Sequence, residues 1–207
     1  MYAYVNNNPV TFNDPSGLFS FFKELTNIRN VVARWSNCAV LSCDAEDPRT
    51  HAKNETVSSA QQQNSTQQLT NAQDAARNNP NLQPTKGGKT FCNVATCQIA
   101  KAMGAPMGAL TNPKNGQPAL ANQIATNLAN SGSGYRQVSP QEAQQLANEG
   151  KLVIGVQPHA GHGHIVTVRP GGSGSDPLVN NIGKHVDIRP ASRAFYSSPA
   201  VKYYTPQ

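Results

Sequence analysis

The pattern of apolar and polar positions changes texture twice along the chain, at about residues 44 and 86. Residues 1–18 open on a short alternation, Tyr2 and Tyr4 with Val5. They then run into Asn8-Pro9 and Asp14-Pro15-Ser16-Gly17, which hold the Asp, the fixed-φ Pro and the permissive Gly of a tight turn. This reads as strand, turn and exit. Between 19 and 43, Phe19, Phe21, Phe22, Leu25, Ile28, Val31, Val32 and Trp35 recur at threes and fours, the spacing of an amphipathic helix. Its polar face carries few Lys or Arg for a helix lying on a membrane, so packing against protein is expected. Residues 44–88 contain 21 Gln, Asn, Ser or Thr in 45 positions and only Val57, Leu69 and Leu82 as large aliphatics. So little apolar surface does not offset the entropy of ordering, and a polar linker over 44–85 is expected, with at most transient helix around 57–77.

From Lys86 onward the elements are well marked. Cys92 to Met103 reads as a helix with Gly104 at its stop and Pro106 just beyond. A second helix is expected at 119–130. A third begins at Ser139, where Ser-Pro-Gln-Glu supplies an N-cap, a Pro at the first helical position and Glu142 at the capping-box position, and it ends at Gly150. Strands follow at 151–157 and 164–169 around the Gly/His turn 159–163, then at 178–182, 185–188 and 200–204. Helices followed by an antiparallel sheet make residues 86–207 an α+β domain.

Composition sharpens this picture in three ways. The net charge of +6 is uneven: residues 1–85 sum to −1 and residues 86–207 to +7, so the basic character lies in the α+β part. Such a charge favours an anionic partner, but Lys and Arg are scattered singly with no interleaved aromatics, which argues against nucleic-acid recognition. No run approaches the ~18 apolar residues of a membrane span, and no basic start with an apolar stretch marks a signal peptide, so neither is expected. Four cysteines in two pairs of equal spacing, Cys38/Cys43 and Cys92/Cys97, are too few for a disulfide scaffold.

The candidate chemistry centres on cysteine and histidine. Cys92 falls in the first turn of its helix, where unpaired N–H groups favour a thiolate and are expected to lower its pKa. Cys97 lies more than a turn inside, on another face, and reads as a small buried hydrophobe. His159 and His162 sit in a movable turn, whereas His164 starts a strand whose ladder holds it. Sharing a face with Val166 and Val168, it is expected to point toward the helix of Cys92. A zinc site from these histidines with Cys92 and Cys97 is disfavoured, because the two cysteines diverge on one helix. Pro170–Ser175 lacks the Gly-Lys-Ser/Thr of a phosphate loop. The carboxylates of 86–207 are only Glu142, Glu149, Asp176 and Asp187.

Two resemblances extend this reading. Tyr2-Ala3-Tyr4-Val5-Asn6-Asn7-Asn8-Pro9 followed by Asp14-Pro15-Ser16-Gly17-Leu18 resembles the end of the core of RHS-repeat proteins. The resemblance implies that residues 1–18 close a hollow β-shell of a longer polypeptide and that a toxin follows. It also implies self-cleavage at Leu18/Phe19 with Asp14 taking part, and a cognate immunity protein. Cys92-Asn93, Gly163-His164-Ile165-Val166-Thr167-Val168 and the lead-in Ala143-x-x-Leu146-Ala147-x-x-Gly150-x-Leu152-Val153 resemble the compact papain-like NlpC/P60 and CHAP families over about 120 residues.

This second resemblance implies a Cys-His-polar constellation with Cys92 as nucleophile and His164 as base, needing no cofactor or metal. It places the third residue on the strand after the histidine strand, where Asn181 is preferred to Asn180 and Asp187 is the fallback. The expected function is a secreted antibacterial effector of a contact-dependent system, hydrolysing peptidoglycan amides in the periplasm of the target cell. A papain-like protease or deamidase acting on a cytosolic protein is the alternative, and a non-catalytic binding module with structural cysteines is the third.

Overall fold

The order of strands in space places the site, and it is not their order in the chain. The computed structural model describes residues 48–207. The expected end of the RHS core with Asp14, the Leu18/Phe19 junction, the helix at 19–43 and the Cys38/Cys43 pair lie outside the described residues. Six strands form one sheet: β1 (Tyr135–Val138), β2 (Ile154–Gln157), β3 (His164–Val168), β4 (Leu178–Ile182), β5 (Val186–Pro190) and β6 (Lys202–Pro206). Their order is β1-β6-β2-β3-β4-β5, and every neighbouring pair is antiparallel. The protein is therefore α+β, as the order of elements predicted.

Helices cover both faces of the sheet. On one side, α1 (Pro48–Arg77), α2 (Cys92–Ala102) and α3 (Ala121–Ala129) bury Leu69, Ile99 and Ile124 with Ile154, Val156, Ile165, Ile182 and Tyr204. On the other, α4 (Pro140–Asn148) packs Ala143, Leu146 and Ala147 on Val153, Val166, Val168, Val179 and Tyr203, next to the short α5 (Ala191–Ala194). Burial on both faces explains why β2 is buried at all four of its positions instead of alternating with polar residues. The N-cap of α4 is as read from sequence, with Ser139 Oγ accepting from Glu142 N at 3.1 Å and Pro140 opening the helix, whereas the Glu142 carboxylate accepts from Arg136 at 2.7 Å and does not close the expected capping box.

The stretch expected as a polar linker over 44–85 is corrected. Pro48–Arg77 is a 30-residue helix, and Asp47–Gln207 is one compact unit. Leu69, Gln73 and Ala76 lie four and then three residues apart, and all three are buried. Gln73 carries the docking: its Nε2 donates to Thr167 Oγ1 (3.0 Å) and to the Val168 carbonyl (2.8 Å), while its own carbonyl accepts from Asn180 Nδ2 (3.3 Å). The next residue, Asp74, takes a two-pronged contact from Arg169 at 2.8 and 3.1 Å, which holds its carboxyl below the usual carboxylate range. Gly150 sits so close to this helix that a Cβ there would lie 2.4 Å from the Ser65 carbonyl carbon. The helix is stabilised by polar side chains acting at buried positions, a pattern that hydropathy does not register.

Candidate functional site

Cys92 is the first residue of α2 and is only 7% exposed. Burial pushes its thiol above the ordinary cysteine range, and the N–H groups of Ile165, Asn93 and Cys92 itself offset this in part. The expected lowering is thus overturned: the helix-terminal field is outweighed by loss of water around the sulfur, and the resting group is the thiol. Cys97 lies inside the same helix, donates from Sγ to the Leu110 carbonyl at 3.4 Å and is raised to about 11 by burial. Both cysteines are free.

His164 opens β3 and pairs across the sheet with Gln157, the last residue of β2. Its Nε2 lies 2.8 Å from Asn181 Oδ1. Asn181 Nδ2 donates to the His185 carbonyl at 2.8 Å and to Asp187 Oδ1 at 3.2 Å. With two acceptors before it, the nitrogen end of the amide is fixed, so Oδ1 must face the ring. That acceptor keeps the proton on Nε2 and leaves Nδ1 as the basic nitrogen. Burial moves the His164 pKa below its usual value, and the Asn181 contact resists the shift. In the resting site both partners are therefore neutral.

The structure brings together His164 and Asn181. The Cys92 sulfur reaches the backbone of Ile165, the residue after His164, and among the described residues it makes no hydrogen bond to the ring. Asn180 projects to the opposite face, onto Gln73 of α1. Asp187 stands behind Asn181, paired with Arg189. The face argument for His164 is also corrected. Val166 and Val168 belong to the core under α4, and it is Ile165 that packs in the cluster of Cys92. By strand alternation His164 shares the α4 side, where its ring meets Asn181 and Phe195.

Further residues shape the site. A Cβ on Gly183 would lie 2.8 Å from His164 Cε1, so only glycine admits the ring there. Buried Gln157 accepts from Tyr196 N (3.0 Å) and donates to the carbonyls of Tyr196 (2.8 Å) and Pro199. This fastens the loop whose Phe195 ring stands 5.3 Å from the His164 ring. Asn122 of α3 grips His159 through both backbone groups, at 2.9 and 3.1 Å. His159 stacks on Tyr196 with ring centres 4.5 Å apart. The signal for Gln157 was a lone polar residue ending a strand of otherwise buried positions. Among the described residues no group of three or more His, Cys, Asp or Glu side chains is arranged to hold a metal ion.

Asn93, beside the cysteine, donates to the Ala119 carbonyl at 2.8 Å and so joins the start of α2 to the approach of α3. No protein-family model matches the sequence, and no curated protein matches it.

Proposed function

We propose that the domain is a cysteine hydrolase of papain-like architecture, with Cys92 as nucleophile, His164 as general base and Asn181 as the residue that orients the imidazole. The observation carrying this reading is the amide of Asn181, pinned so that His164 keeps its proton on Nε2 and leaves Nδ1 as the basic nitrogen, while the Cys92 sulfur meets the backbone N–H of Ile165, the next residue along β3. The neutral resting pair sets the sequence of events. Substrate enters, Cys92 passes its proton to Nδ1 as sulfur attacks an amide carbonyl, and the oxyanion forms against backbone N–H groups at the start of α2. The imidazolium returns the proton to the departing amine as the C–N bond breaks. A water activated by the same nitrogen then hydrolyses the thioester, releasing the acid and restoring the thiol.

The substrate proposed is an amide of peptidoglycan, and the context is an antibacterial toxin released from an RHS protein and countered by an immunity protein. The net +7 of residues 86–207 suits an anionic wall polymer, and the sequence of residues 1–18 supplies the RHS connection. No helix among the described residues is long and apolar enough to cross a membrane. Expression of the full chain in a bacterium, with and without a periplasmic export signal and beside Cys92→Ala, tests the proposal. Lysis that needs both export and Cys92 supports it. Killing confined to the cytosol transfers the function to a protein substrate, and harmlessness in both compartments leaves a binding module.

A further inference from the structure

The contacts behind the imidazole continue past Asn181. Its Nδ2 is shared between the His185 carbonyl (2.8 Å) and Asp187 Oδ1 (3.2 Å). The same Oδ1 accepts from Arg189 Nε at 2.6 Å, and Oδ2 accepts from Arg189 Nη2. Arg189 is in turn anchored by Nη1 on the Arg193 carbonyl at 3.2 Å. Asn181 and Asp187 are register partners on β4 and β5, and Arg189 lies two residues further along the same face of β5. Three side chains on two paired strands thus stand in one line ending at His164.

We infer that the Asp187–Arg189 pair is a positioning device that sets the tautomer of His164 through Asn181. The inference rests on the proposed role of His164, and it gives Asp187 a task distinct from that of a third catalytic residue. An asparagine amide has no built-in preference for which end faces an imidazole. Turned over, it would donate to Nε2, move the ring proton to Nδ1 and remove the acceptor that Cys92 needs. The His185 carbonyl resists that rotation with one hydrogen bond. Asp187 adds a second, charge-assisted one, which a turned amide would replace by an oxygen facing a carboxylate. Arg189 supplies two donors to the carboxylate, so that it does not swing away to solvent and stays ionised as an acceptor. Because the pair lies toward the edge of the sheet, its effect is on orientation more than on stability.

The test uses the full chain, with nitrogen NMR of the His164 ring and the rate of Cys92 alkylation measured in parallel. In the unmodified protein the ring is expected as the Nε2–H tautomer. Asp187→Ala should mix in the Nδ1–H form and slow alkylation roughly two- to tenfold, the worth of one hydrogen bond. Asp187→Asn keeps an acceptor oxygen facing Asn181 and Arg189, and it should restore the tautomer and most of the rate. A ring that stays Nε2–H in Asp187→Ala overturns the inference, as does an Asp187→Asn variant indistinguishable from Asp187→Ala. The NMR readout does not depend on catalysis. Should His164→Ala leave alkylation unchanged, the base assignment fails, while the tautomer in Asp187→Ala still decides the role of Asp187.

Discussion

Gly183→Ala isolates the positioning of His164 with the smallest change available. The new methyl would stand 2.8 Å from His164 Cε1, about 0.7 Å inside an ordinary carbon contact of ~3.5 Å. The ring cannot retreat freely, because Phe195 flanks it and the Asn181 bond at 2.8 Å ties its Nε2. If the ring yields by the whole amount, that bond stretches to about 3.5 Å and is lost, a cost of ~1 kcal/mol in orientation. If the backbone yields instead, overpacking costs about 1–3 kcal/mol of stability, or a fall in Tm of very roughly 2–12 °C for a domain of this size. A base displaced by several tenths of an ångström should slow its reaction by about ten- to a hundredfold. The assay is the rate of Cys92 alkylation near neutral pH, set beside thermal unfolding. An alkylation rate within twofold of the unmodified protein would refute the claim that the ring needs the space at Gly183.

Other expectations follow from the same geometry. Cys92→Ala should abolish hydrolysis, while Cys97→Ala should keep it and lose about 1 kcal/mol of stability in urea unfolding; the reverse pattern sinks the assignment of the nucleophile. Stability should fall as pH drops below about 6.5, because the unfolded chain gains a proton that buried His164 does not, and the fall should level off below the lowered folded pKa. His164→Gln should remove that step while leaving the separate loss at more acid pH, where Asp74 and Asp187 are protonated below the ordinary 3.8. Truncation to residues 86–207 should yield insoluble or unfolded protein, since it removes Leu69 and Gln73 from the core; a cooperative thermal transition in that fragment would show α1 to be dispensable.

What the sequence made legible was whatever had a local cause. Ser139-Pro140 with Glu142 announces α4 by capping chemistry, and Ile165 to Val168 announces β3 by β-branched side chains. The helix opened by Cys92 and its stop at Gly104 are equally local. The remainder depended on distant partners. The burial of α1 rests on Gln73, whose hydrogen bonds reach residues 94 and 95 positions away, and no window of hydropathy contains that information. The four-residue β1 exists because Tyr203 to Pro206 lie against it. The face of His164 is not legible locally, because a sheet covered on both sides has two insides and alternation alone does not say which helix a side chain meets. The protonation of Cys92 escapes the local sequence for a related reason. Its helix position is local, but the burial that dominates its pKa is supplied by the rest of the fold.

The place of β6 between β1 and β2 has a consequence for the timing of folding. The strand that joins β1 to the rest of the sheet is synthesised after Cys92, His164 and Asn181. Until residues 202–206 pair, β1 has no neighbour and β2 has an open edge, so neither core can close. Pairings this distant in sequence form slowly because the loops between them must be ordered first. A ribosome-bound chain would therefore carry every residue of the site without the sheet that aligns them. The sheet that aligns these residues would be complete only once synthesis has passed β6, which leaves an interval in which the nascent chain exposes an unfinished sheet edge.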